Sequence, residues 1–132
     1  MNGIINKKLG NSFENDFANY LSNNNYWVHL IAGASYTGSQ PCDVIAVKDN
    51  IIQLFDCKTL NDKTTKFPIH RIEENQRLAY NRFKKFNKNS DFSLAILWKN
   101  NLYYIEFSTI DFNGKSIDMP SQMPVKENFY EY

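Results

Sequence analysis

The chain has 132 residues, 42% hydrophobic and 15% aromatic, a size and apolar content that fit one compact domain and exclude wholesale disorder. Fifteen basic against fourteen acidic residues leave a net charge of +1, which selects no partner by itself. No stretch approaches the ~18 consecutive apolar residues of a membrane span, and Met1 to Lys8 carry no long apolar run after their charges. Neither a membrane anchor nor a signal peptide is therefore expected, and the expected location is cytoplasmic. Cys42 and Cys57 lack CxxC spacing, and His29 and His70 are scattered, which excludes a disulfide scaffold and a Cys/His zinc site.

In chain order, Asn11 or Ser12 is the expected cap of a first helix running to about Ser22, with Phe13, Phe17 and Tyr20/Leu21 as its buried stripe. Asn23-Asn24-Asn25 breaks it, and Tyr26 to Ile31 reads as a strand. Gly33 to Pro41 is small and polar, hence a loop. Asp43–Val47 and Ile51–Lys58 then form a hairpin around Lys48-Asp49-Asn50, each strand apolar enough to be covered on both faces. Thr59 to Pro68 reads as a polar, lysine-bearing loop, followed by a long helix from about Ile69 or Arg71 to Lys88. Phe92–Trp98 and Leu102–Phe107 make a second hairpin around Lys99-Asn100-Asn101. The remainder, 108–132, reads as an irregular tail packed on the domain or on a partner. The expected order within this single 1–132 domain is α-β-β-β-α-β-β: an α/β class with a mixed β-sheet flanked by helices.

Asp56 and Lys58 are the strongest local signal. In a strand, residues i and i+2 share a face, so these two side chains point the same way while Cys57 faces opposite. A carboxylate and an ammonium at the end of an apolar strand are costly to bury unpaired. They are paired with each other, exposed at the strand end, or set around a metal and a phosphate. Hairpin pairing brings Asp43 near the Asp56 end, and two carboxylates meeting there repel unless a cation or a proton lies between them. Oxygen-only ligands select hard cations, so Mg²⁺, or Mn²⁺ as a substitute, is the natural occupant. A lysine beside such an ion can orient a water and steady charge on a phosphate, which makes metal-assisted phosphodiester hydrolysis the reaction that uses every part. Gln76 falls on the apolar line Ile72–Gln76–Ala79–Phe83–Phe86, where a polar amide needs a partner. Glu14 flanks the buried face of the first helix.

Charge is unevenly spread. Residues 48–88 hold ten Lys/Arg against five Asp/Glu, a local balance of +5, whereas 109–132 hold two against four. A basic middle suits either a solvated helix face or a phosphate-rich ligand. Lys63, Lys66, Arg71, Arg77, Arg82, Lys84, Lys85 and Lys88 are the candidate phosphate contacts.

The ordered set of Glu14, Pro41-x-Asp43, Asp56-x-Lys58 and Gln76 resembles the PD-(D/E)xK nuclease superfamily over roughly residues 9–107. Leu9-Gly10-Asn11-Ser12-Phe13-Glu14, Asp43-Val44-Ile45, Asp56-Cys57-Lys58-Thr59, Phe67-Pro68-Ile69 and Glu74-Asn75-Gln76 are most similar to RecU-type Holliday junction resolvases. The resemblance implies a restriction-endonuclease-like fold and a Mg²⁺-dependent, structure-selective endonuclease that cuts four-way DNA junctions as a homodimer. It implies Asp43, Asp56 and the Cys57 carbonyl as metal ligands, Glu14 completing the acidic site, Lys58 as the catalytic lysine and Gln76 as its support. The long stalk of RecU-type enzymes is replaced here by the short stretch Gly33–Gln40, and their basic N-terminal arm by little more than Lys7-Lys8. Archaeal-type junction resolvases of the same superfamily manage without such a stalk. Another PD-(D/E)xK nuclease of repair, restriction or mobile elements, and a non-catalytic DNA-binding module on the same fold, are the alternatives.

Overall fold

A computed structural model of the chain describes the backbone of residues 2–31 and 42–131, and side chains from Phe13 onward within them. The stretch Gly33–Gln40, Pro41, and the side chains of Lys7, Lys8 and Leu9–Ser12 lie outside the described residues.

The first helix, α1, spans Asn2–Asn23. It begins well before the expected cap at Asn11 or Ser12, because the four-residue apolar spacing of Ile5, Leu9, Phe13 and Phe17 continues through those two polar positions. Its stripe is as expected: Phe13, Phe17 and Leu21 are buried. Asn25 ends the turn in the left-handed region, at φ 69°, a conformation asparagine tolerates. Strand β1 (Trp27–Leu30) follows, then the hairpin β2 (Val44–Lys48) and β3 (Ile51–Thr59). Its connection is two residues rather than three: Asp49 and Asn50 both take positive φ, 53° and 67°, the signature of a tight primed turn, which leaves Lys48 in the strand.

The polar segment after β3 is not all loop. Lys66–Pro68 forms a short strand, β4. Nor is the next helix continuous: a 3₁₀ turn at Ile69–Arg71 is separated by extended Ile72 and Glu73 from the helix α2, Glu74–Phe86. The second hairpin is β5 (Asp91–Trp98) and β6 (Asn101–Glu106), turned by Lys99 and Asn100 at φ 52° and 60°. Within the tail, β7 (Ser116–Asp118) pairs antiparallel with β4, Phe67 opposite Ile117. Further on, Lys126 bridges Leu102 on β6. The tail is thus partly regular, and a second, two-stranded sheet accompanies the main one.

The main sheet has the order β1-β2-β3-β5-β6, with β3 central and parallel to β5, and the other pairs antiparallel. The parallel pair needs a crossover, and the segment containing β4 and α2 supplies it. Period-two alternation divides the core between the two faces. Phe55, Cys57, Val44, Ala46, Ala95 and Leu97 pack with Phe13, Phe17 and Leu21 of α1. Leu54, Leu94, Ile96 and Phe92 pack on the other side with Ile72, Ala79, Tyr80 and Phe83. The line expected for α2 is buried at Gln76 and partly at Ala79 and Phe83, but Phe86 is 78% exposed, because the helix ends there as the chain leaves for β5. Among the described residues no helix is long and apolar enough to cross a membrane.

Candidate active site

The register of the β2–β3 hairpin sets Val44 opposite Phe55, so the next residues outward, Asp43 and Asp56, meet where β2 begins. Asp43 is fixed through its backbone: its N–H donates to the Phe55 carbonyl at 2.8 Å, and its own carbonyl accepts from Ile31 N–H at 2.8 Å. Its carboxylate Oδ2 accepts from the Cys57 N–H at 2.7 Å. In a strand the N–H and C=O of one residue point to the same side. The Cys57 carbonyl therefore points to the same side as Asp43, toward the start of β2, while the Cys57 thiol packs on the α1 side.

Strand alternation puts Asp43, Asp56 and Lys58 on one face, opposite to Val44, Phe55 and Cys57. Asp56 is 1% exposed, and its Oδ2 is buried without a hydrogen bond. The Lys58 ammonium stands 3.5 Å from that oxygen, an ion pair at the carboxyl end of the central strand. Burial pushes the Asp56 carboxyl up to about 8; Lys58 opposes the rise and Asp43 adds to it. Two close carboxylates in one dry corner cannot both ionise at little cost without a cation between them. Glu14 comes from α1, half-buried; desolvation raises its pKa, the Asp43 charge raises it further and Lys58 lowers it. Glu14 thus lies within electrostatic reach of Asp43 and Lys58, and Asp56 within reach of the same two groups.

Among the described residues no three His, Cys, Asp or Glu side chains stand close enough to cage a metal by themselves. Mg²⁺ does not require such a cage: it commonly takes one or two carboxylates and keeps several waters. The donor set here is two carboxylates and one carbonyl, all oxygen, with a buried carboxylate oxygen that accepts no hydrogen bond. Those residues fit a hard divalent cation.

Gln76 is 6% exposed, at the start of α2, and its Oε1 accepts from the Glu73 N–H at 3.0 Å. The polar amide on the apolar line has found its partner in the helix terminus, as the reciprocal half of a capping box. Arg71 lies near enough to Asp56 for their charges to interact. Its Nη1 donates to the Thr59 carbonyl at 2.9 Å, one residue past Lys58, and the guanidinium lies 5.0 Å from the Phe67 ring. No local spacing announces that contact. The remaining cations differ in their engagement. Lys63 is exposed, Lys66 pairs loosely with Asp118 at 3.8 Å, and Arg77 covers Phe112 at 4.6 Å. Lys84 donates to the carbonyls of Ser90 and Lys88 at 2.7 and 3.1 Å, closing the end of α2, and Lys85 lies 5.7 Å from the Phe86 ring.

No protein-family model matches the chain, and no curated protein matches it. Among solved structures it is similar to Hjc of Archaeoglobus fulgidus, a Holliday junction resolvase from an archaeal hyperthermophile. The TM-score is 0.64 over 89% of this chain and 94% of that one, at 13% sequence identity. A likeness at that identity is one of architecture. Together with the mixed five-stranded sheet and its flanking helices, it gives this chain the restriction-endonuclease-like fold of that protein.

Proposed function

We propose that this chain is a Mg²⁺-dependent, structure-selective DNA endonuclease that cuts four-way junctions as a homodimer. The observation that carries the reading is the meeting of Asp43, Asp56 and Lys58 at the carboxyl end of the central strand, with Asp56 Oδ2 buried and accepting no hydrogen bond. A merely structural Asp–Lys pair has no need of a second carboxylate held against it. The described fold, shared with a protein known as a Holliday junction resolvase, supports the same reading.

Asp43 and Asp56, with the Cys57 carbonyl, are the residues that would hold Mg²⁺, or Mn²⁺ in its place. Bound there, the ion supplies a hard Lewis acid beside the phosphate. Lys58 orients the attacking water and steadies the charge that develops on the phosphate oxygens. The water oxygen bonds to phosphorus and gives up one proton to solvent as one P–O ester bond breaks, and the departing alkoxide takes up a proton from solvent in its place. Glu14 completes the acidic site directly or through water, and Gln76 supports it by fixing the start of α2. Lys63, Lys66, Arg71, Arg77, Lys84 and Lys85 would contact the DNA backbone, to different extents given their present engagements. Backbone contacts without a base-reading motif favour selection by DNA shape. Two symmetry-related strands of a junction call for two copies of the site, hence the dimer.

The test is cleavage of labelled four-way junction, linear duplex and single-stranded DNA in Mg²⁺, with light scattering on the same preparation. Paired nicks confined to the junction, from a particle of about twice the 15.5 kDa chain mass, are expected. Cutting of linear DNA would retain a nuclease but remove the junction selectivity. A strictly monomeric particle would remove the symmetrical resolution.

A further inference from the structure

The two cations at the end of β3 are not equivalent. Lys58 has a carboxylate partner, Asp56 Oδ2, at 3.5 Å. Arg71, half-buried, has none: among the described residues the ion pairs are Lys58–Asp56 and Lys66–Asp118, and the one hydrogen bond that anchors Arg71 goes to a neutral carbonyl, that of Thr59. A guanidinium carries five N–H donors in a rigid fork, so most of them are uncommitted. Taking such a group partly out of water without an anion is costly, and burial does lower the Arg71 pKa, with Asp56 close enough to oppose the effect. The side chain is nonetheless held, between the Thr59 carbonyl at 2.9 Å and the Phe67 ring at 5.0 Å. Both anchors are themselves fixed: Thr59 closes the strand that carries Asp56 and Lys58, and Phe67 is a fully buried residue of β4. The arrangement has the features of a preset anion clamp, with a planar fork, a fixed position and an unfilled charge.

We propose that Arg71 is the clamp for the phosphodiester that reacts at this site, gripping a non-bridging oxygen of that phosphate rather than a phosphate elsewhere along the DNA. The inference rests on the nuclease reading above and adds a named residue to it. Guanidinium–phosphate pairs are bidentate and directional, which suits a group that must hold one phosphate in line with an attacking water. A donor aimed at charge that grows in the transition state is worth more in catalysis than in binding, roughly 10²–10³-fold in turnover. Lys63, exposed on the following loop, would add affinity instead.

The experiment compares wild type, Arg71→Ala and Arg71→Lys by single-turnover cleavage at saturating four-way junction in Mg²⁺, alongside Kd for the same DNA in EDTA. It is repeated with Rp and Sp phosphorothioates at the cleaved phosphate. The clamp predicts a roughly 100-fold slower saturated rate for Arg71→Ala with Kd within about threefold, and recovery of less than a tenth of the lost rate by Arg71→Lys. It also predicts that wild type slows with one thio diastereomer far more than Arg71→Ala does, a signature that loosened packing would not produce. Circular dichroism and thermal melting of Arg71→Lys, which keeps a donor for the Thr59 carbonyl, guard against a folding effect. A weaker Kd with an unchanged saturated rate would make Arg71 an ordinary backbone contact and overturn the clamp. So would an identical thio effect in wild type and Arg71→Ala. A wild type that cuts no DNA would refute the nuclease reading itself, which keeps the two failures apart.

Discussion

Replacing Asp56 with asparagine is expected to stabilise the metal-free protein at alkaline pH and leave it nearly unchanged at acid pH. The carboxyl is 1% exposed and titrates at about 8, against an ordinary value of 3.8. Between those two values the folded chain keeps a proton that the unfolded chain has released. The sign is therefore fixed: stability falls as pH rises through the window, by up to about 1.4 kcal/mol per pH unit for this one group. Across the window of about four units the loss reaches about 6 kcal/mol as an upper bound. Relaxation and water entry around the charge leave something on the order of half that. Asparagine keeps the shape and cannot ionise, so its variant should lack this slope. The assay is urea unfolding in EDTA from pH 4.5 to 8.5, followed by the fluorescence of Trp98, which is 4% exposed and donates its Nε1–H to the Thr64 carbonyl. The two proteins should agree near pH 4.5 and diverge by several kcal/mol at pH 8.5. Adding Mg²⁺ at pH 8.5 should then restore wild type and do little for the variant. Parallel stability curves across the range would refute the claim that burial holds the Asp56 carboxyl protonated in the folded chain.

Three further substitutions separate chemistry from packing. Lys58→Met should slow saturated cleavage by about 100-fold or more while Kd for DNA stays within a few-fold; equal losses in both would make Lys58 a binding residue. Asp43→Ala removes the acceptor of the buried Cys57 N–H and should cost about 1–3 kcal/mol in urea unfolding. Asp43→Asn, which keeps an acceptor, should fold well and still fail to cleave; an active Asp43→Asn would take Asp43 out of the metal set. Gln76→Ala should cost about 1 kcal/mol through the lost Glu73 N–H bond, and Gln76→Glu should restore it, since glutamate also completes a capping box. Unchanged stability in Gln76→Ala would refute its part in the helix start.

What could be read from residues alone was whatever depends on local periodicity. Strand alternation put Asp56 and Lys58 on one face, and a short turn between two apolar strands brought Asp43 to meet them; both hold in the structure. The stripe Phe13–Phe17–Leu21 was equally legible from its helical spacing. Features made by distant segments were not. Strands β4 and β7 are three residues each and pair Lys66 with Asp118 across most of the second half of the chain, too short to show a period and too far apart to show a turn. The break at Ile72–Glu73 was hidden because Ile72, Gln76 and Ala79 continue one apolar line. The structure resolves that line into a buried residue before the helix, a capping glutamine within it and only then the packing face. Arg71 looked like one cation among many, and no local spacing pointed it to the Thr59 carbonyl.

The most direct test of the central claim is cleavage of a labelled four-way junction by wild type and Asp56→Asn, each in Mg²⁺ and in EDTA, with DNA binding measured in parallel. The account predicts paired nicks for wild type in Mg²⁺ alone, and no cleavage but equal or tighter binding for Asp56→Asn, which loses a metal ligand and a negative charge together. Cleavage that survives EDTA, or that survives the loss of the Asp56 carboxylate, would contradict it.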